Sequence, residues 1–324
     1  MIRGTVIGLL VLAPACLGET LPWWDGGVLG QLMYRVPVEV TNRQDSKDDY
    51  PITVELNFTD VLLDLGEVGA LDEGSIRVIR SVKDTAEAFG TALPHLFERA
   101  PDYGTISNAH GWISWIVEQS LDPEEEVLYH IYFDIQAHGV RLEPVPLSWE
   151  TVYYNPANRI QGGSLEPEAA SVDQSSNPWR GWGEGRQPPS VQPQQSGHWG
   201  RWSLALVPGG SATCEALVGL LDAGRSYLLG CYLRADSTGG EPGVLNMSFS
   251  LGGTRAIRFS KEQTLAPALG WWRCEVPLPI APESSPFSIV FDFAGMVPDT
   301  VWVDDLFIYE DPPLVTVGVG ERLQ

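Results

Sequence analysis

Apolar and polar residues alternate with a period of two through most of the chain, first at residues 34–41, where Val36, Val38 and Val40 fall on one side of a pleat. A polar turn over 42–49 separates this run from a second, in which Ile52, Val54, Leu56 and Phe58 share a face. Similar runs follow at 75–82, 110–118 and 127–136. The last places Val127, Tyr129, Ile131 and Phe133 on one face and Leu128, His130, Tyr132 and Asp134 on the other. Residues 84–88 suit at most one helical turn. Alternation resumes at 202–207, 216–221, 226–234, 245–251, 256–259, 271–278, 287–293 and 300–309. Strands packed that densely, with no long amphipathic helix between them, are the mark of a jelly roll. The expected fold is all-β: two antiparallel β-sandwich domains, the second a jelly roll.

Two stretches interrupt the pattern. Residues 142–149 read as a linker, and residues 177–197, with several Pro, Gly and Gln, read as a long loop of the kind that often carries function. A chain of 324 residues suits two domains, expected at 20–150 and 151–312, with a signal peptide at 1–19 and a tail at 313–324. Arg3 gives the signal its positive start, residues 5–13 its apolar run, and small residues follow around Ala15 and Gly18. That run is too short to span a bilayer. Cys16 stands where a lipid-modified cysteine would, although Ala13 occupies a position that wants a larger aliphatic residue. The chain is therefore expected to be secreted or held at the cell surface. Cys214, Cys231 and Cys274 remain after export, an odd set that allows one disulfide without saying which pair forms it.

The formal charge of −22, from 20 basic and 42 acidic side chains, opposes nucleic acid and anionic lipid as partners, and favours a neutral sugar over a polyanionic one. Catalytic signatures are missing: there is no His-Glu-x-x-His, Gly-x-Ser-x-Gly, Walker loop or Cys-x-x-Cys. The five histidines, His95, His110, His130, His138 and His198, show no ligand spacing, and His110 and His130 read as structural. Among so many carboxylates no acid/base pair is singled out.

Five segments then fall in a familiar order: residues 158–166 (NRIQGGSLE), Ser196-Gly197 leading into 202–206, Gly224-Arg225-Ser226-Tyr227, Gly270-Trp271-Trp272-Arg273, and residues 301–306 (VWVDDL). Together they resemble the jelly-roll carbohydrate-binding modules of families 4, 9, 16 and 22, over about residues 155–310. Leu165 departs from that pattern, where a Phe is usual, as does the Pro- and Gln-rich loop. The first half more loosely resembles a sandwich of large exported bacterial proteins, through Trp23-Trp24, Tyr34-Arg35 and residues 127–134; no activity follows from it.

The resemblance implies sugar binding by stacking of pyranose faces on aromatic rings, with polar side chains on the hydroxyls. Trp179 and Trp182 in the long loop, Trp199 beside it, and Tyr232 or Tyr227 on a strand are the candidate rings; Arg180 and Glu184 are the candidate hydrogen-bonding groups. Trp272 and Trp302 read as core. The resemblance also implies a structural calcium ion, held by Glu166 and one of Asp304 or Asp305. Strand alternation would send those aspartates to opposite faces, and Asp305 is the favoured ligand. The chain thus reads as an exported, non-catalytic protein that binds a neutral poly- or oligosaccharide. The alternatives are a structural or adhesive pair of sandwiches without a sugar site, and an accessory part of a glycosidase or lyase.

Overall fold

The computed structural model describes residues 23–24, 31–81, 91–117, 120–141, 144, 146–153, 155–160, 179–181, 190–193, 198–199, 202–206, 211–214, 220–236, 243–251, 257–265, 270–278, 285–293 and 300–323. Six strands build the first sandwich: β1 (Tyr34–Thr41), β2 (Pro51–Asn57), β3 (Leu71–Ser81), β4 (His95–Arg99), β5 (His110–Ile116) and β6 (Glu126–Ile135). One sheet runs β1-β6-β3 and the other β2-β5-β4, all antiparallel. The expected alternation packs as read, with Val36, Val38, Tyr129, Ile131 and Phe133 fully buried between the sheets. Phe58 departs from the expected pattern. Asn57 accepts hydrogen bonds from the backbone N–H groups of Thr59 (3.0 Å) and Asp60 (3.3 Å) and so caps a short helix, α1 (Phe58–Asp64). Capping ends the strand one residue early, yet Phe58 still enters the core.

A second helix, α2 (Trp149–Tyr153), leads into the second sandwich. Its strands are β7 (Trp179–Gly181), β8 (Ser190–Pro193), β9 (Trp202–Leu206), β10 (Ser211–Cys214), β11 (Leu220–Leu221), β12 (Tyr227–Asp236), β13 (Gly243–Leu251), β14 (Ile257–Leu265), β15 (Trp272–Leu278), β16 (Ser285–Phe293) and β17 (Thr300–Glu310). They form two sheets, β14-β13-β16-β10-β7 with β11 beside β16, and β15-β12-β17-β9-β8. The two meet where β14 packs against β12 and β15. Two short strands, β7 and β8, thus lie inside the segment expected as one loop.

The chain then returns to its beginning. β18 (Leu314–Val317) pairs antiparallel with β1, from Val38↔Val317 to Thr41↔Leu314, and β19 (Glu321–Arg322) pairs with Tyr34 and Arg35. Arg35 holds Glu321 at 2.6 Å. Residues expected as a tail therefore complete the first sandwich, because β1 would otherwise expose an unpaired edge. The hydrophobic core does not stop at the domain boundary. Tyr232, Phe307 and Tyr309 of the second sandwich belong to the same cluster as Tyr50, Val152 and Tyr153, and the Tyr50 and Tyr309 rings lie 5.5 Å apart.

One irregularity decides the chemistry of the junction. Between Gly230↔Phe307 and Tyr232↔Asp304, two steps along β12 face three along β17. The extra residue is a bulge, and Asp305 adopts φ 45°, a left-handed conformation rare for a side chain with a Cβ. Alternation is broken there. Asp304 and Asp305 are both fully buried, where strict pleating would have turned one outward.

Candidate functional site

Among the described residues, the densest group of chemically capable side chains lies at the junction of the two sandwiches. β4 contributes Glu98, α2 contributes Tyr153, β12 and β15 contribute Tyr232 and Arg273, β17 contributes Asp304 and Asp305, and the segment between β8 and β9 contributes His198 and Trp199. Glu98 sits at the centre. Its Oε2 accepts from the hydroxyls of Tyr153 (2.7 Å) and Tyr232 (3.0 Å), and its Oε1 accepts from the Trp199 indole (2.9 Å). The Arg273 guanidinium donates to the Tyr232 hydroxyl at 2.9 Å and pairs with Glu275 at 2.7 Å.

His198 links this carboxyl to a second one. Its Nε2 lies 3.2 Å from Glu98 Oε1 and its Nδ1 lies 2.9 Å from Asp305 Oδ2, while its backbone N–H donates to Asp304 Oδ2 at 3.0 Å. The ring lies flat on Tyr232, with centroids 3.6 Å apart and planes at 15°. Burial pushes the Glu98 carboxyl up, against the pull of Arg273 and the three donors; burial, aided by Arg273, pushes the His198 ring well down. Both shifts move the proton between these two groups toward Glu98, which leaves Nδ1–H to donate to Asp305. Burial likewise raises the Tyr153 and Tyr232 hydroxyls, so both remain neutral donors.

Such a chain of acid, imidazole and carboxylate can hold and relay a proton. Here it is closed in by Tyr232 on the ring face and by the edges of Trp199 and Trp271, at 5.6 and 5.9 Å. Its evident work is to fasten β4 of one sandwich to β12, β15 and β17 of the other. A second tie lies nearby: Arg225 reaches Asp45, Gln44 and Asp311, and Asn155 donates to the backbone of Asp49 at 2.7 Å.

The expected sugar-binding residues divide between two places. Tyr232 is fully buried and Trp199 half-buried, and both face Glu98. For Tyr232 this corrects its assignment as a stacking platform, since the whole ring lies in the shared core; Trp199 packs against that core with its indole N–H on Glu98. Trp179 and Arg180 lie on the edge strand β7, opposite Cys214 and Thr213 of β10. Trp182, Glu184 and Glu166 lie outside the described residues. Of the expected calcium ligands, Asp305 accepts from His198 through Oδ2. Among the described residues no three His, Cys, Asp or Glu side chains are grouped to hold a metal ion.

Glu98 and His198 were not singled out by sequence reasoning. Leu96 and Glu98 share a face of β4, and Leu96 is core, so alternation alone would have turned Glu98 inward had the strand been recognised. The resembling motifs gain physical roles in turn. Asn158 accepts from the backbone N–H groups of Ile308 (2.9 Å) and Ile160 (3.0 Å) and donates to the carbonyls of Tyr153 and Leu306. Gly224 (φ 80°) and Gly270 (φ 92°) hold left-handed turns before β12 and β15.

No protein-family model matches the chain, and no curated protein matches it. Among solved structures, a family 61 carbohydrate-binding module in complex with β-1,4-galactotriose is 15% identical, over 47% of this chain and 97% of that one, at a TM-score of 0.34. The second family 22 xylan-binding domain of a Paenibacillus barcinonensis xylanase is 17% identical, over 41% of this chain and 92% of that one, at 0.34. A Clostridium thermocellum endo-1,4-β-D-xylanase fragment, with its family 22 module and catalytic module complexed with xylohexaose, is 13% identical over 41% of this chain, at 0.34. That match spans only 26% of the xylanase fragment. A family 16 carbohydrate-binding module is 14% identical over 49% of this chain and 99% of that one, at a TM-score of 0.30.

Proposed function

We propose that the chain is an exported, non-catalytic carbohydrate-binding protein, whose second sandwich holds a neutral poly- or oligosaccharide by aromatic stacking around Trp179 and Trp182. One observation carries the reading. The sheet β15-β12-β17-β9-β8 is the one that meets the first sandwich, through Tyr232, Arg273, Phe307 and Tyr309. Trp179 and Arg180 lie on the edge strand of the other sheet, β14-β13-β16-β10-β7, shortly before Trp182 and Glu184 in sequence. The charge of −22 supports an uncharged sugar over an acidic one.

Affinity electrophoresis on neutral glucans, xylans and mannans tests the proposal. Retardation on at least one of them is expected, and none on any member of the panel would contradict it. A structural calcium ion on Glu166 and Asp305 would compete with His198 for Asp305 Oδ2. A chelator that lowers the melting temperature marks such an ion, and an unchanged melting temperature removes it from the account.

The second reading is a structural or adhesive pair of sandwiches. It is favoured by the placement of Trp199, Tyr232 and Asp305 in the interdomain contact. An intact fold with no retardation on any glycan is its expected result.

A further inference from the structure

Beyond the expected signal peptide with its Cys16, the sequence carries three cysteines and no way to choose a pair. The sheet register supplies one. β12 and β15 pair antiparallel without interruption from Tyr227↔Leu278 to Leu233↔Trp272, and within that ladder Cys231 stands opposite Cys274. We propose that these two form a cross-strand disulfide in the mature protein, leaving Cys214 as the remaining thiol.

The geometry supports this pair and no other. Directly opposed residues of an antiparallel ladder have Cα atoms about 4.5–5.5 Å apart. A disulfide spans Cα separations of about 4.4–6.8 Å. Cys214 lies on β10, in the opposite sheet, paired with Ile289 and Trp179. Facing sheets stand about 10 Å apart, beyond the reach of an unstrained bridge. Cys231 and Cys274 also point the same way. Their neighbours Tyr232 and Arg273 turn toward the first sandwich, so alternation turns both cysteines into the second, where they are buried. Register pairs on both sides hold the two positions opposite one another.

The reaction is a thiol–disulfide exchange with a low-molecular-weight disulfide such as oxidised glutathione. One cysteine thiolate attacks that S–S bond, forming a mixed disulfide and releasing one glutathione thiolate. The second cysteine thiolate then displaces the other glutathione. The protein loses two S–H bonds and gains one S–S bond, two protons pass to solvent or to the departing thiolates, and glutathione disulfide is reduced by two electrons. Because both sulfurs are buried in the folded sandwich, exchange belongs to folding, before the two sheets close.

This inference is independent of sugar binding. The test is to refold the reduced, denatured mature chain in a glutathione redox buffer, block remaining thiols with iodoacetamide under denaturing conditions, and map the peptides by mass spectrometry. A peptide pair linking Cys231 to Cys274, with Cys214 alkylated, is expected. A linked peptide containing Cys214, or alkylation of all three, would overturn the assignment. Cys214→Ser should give the same linked pair and no titratable thiol, whereas one or more thiols per chain in that variant would also overturn it. Neither result bears on retardation by a glycan, so the two ideas fail separately.

Discussion

Glu98 is the residue on which the junction turns, because three donors from three different segments end on it. Glu98→Ala would strand the Tyr153 and Tyr232 hydroxyls and the Trp199 indole without an acceptor, and should lower stability by about 3 kcal/mol in urea denaturation. Glu98→Gln keeps an acceptor oxygen and should lose less. Proton linkage runs in opposite directions at the acid and at the buried histidines. His95 and His130 are both buried, and desolvation lowers them to about 4 and about 3, respectively. Their folded values lie below the unfolded one, so their contribution is whole above about pH 6.5 and declines as pH falls toward those values. At pH 5 each should have removed about 2 kcal/mol. His130→Gln should flatten the stability profile between pH 7 and 5 by roughly one proton's worth of slope, and an unchanged slope would count against burial of that ring. Glu98 is shifted upward, so its contribution is present below the ordinary carboxylate range and lost as pH rises through its folded value.

At the scale of elements, the bulge in β17 rests on a packing that admits only glycine. A Cβ on Gly230 would lie 2.0 Å from the Phe307 ring. Gly230→Ala should therefore cost about 2 kcal/mol by overpacking at the junction, read as a lower midpoint in urea denaturation. Removing residues 313–324 should strip β18 and β19 from β1 and destabilise the first sandwich, measurable as a lower melting temperature of the truncated chain. Most strands were legible in the period of two: β1, β6, β12 and β15 fall within a residue or two of their expected bounds. What escaped had a physical cause. β4 is five residues long and its Leu96–Glu98 face mixes apolar with acidic, so no alternation stands out. α1 follows from a cap at Asn57 that outweighs a strand-like Phe58. The bulge at Asp305 lies beside the pairing of Gly230 with Phe307, residues far apart in the chain, and no local pattern announces it.

The whole molecule is two all-β sandwiches fused through one continuous core rather than two beads on a linker. That arrangement divides the aromatic residues by role. Sequence could rank Trp179, Trp199 and Tyr232 as candidate rings, but not show that Trp199 and Tyr232 stand at the junction while Trp179 lies on the other sheet, since that depends on which sheet meets the first sandwich. β18 and β19 return to β1, so the first sandwich holds strands from before and after the second one in sequence. The most direct test compares Trp179→Ala with Trp199→Ala, reading glycan retardation and melting temperature on both. The account predicts that the first loses retardation at an unchanged melting temperature, while the second melts several degrees lower and still binds below its transition. Binding lost at Trp199 with stability intact, and binding kept at Trp179, would contradict it.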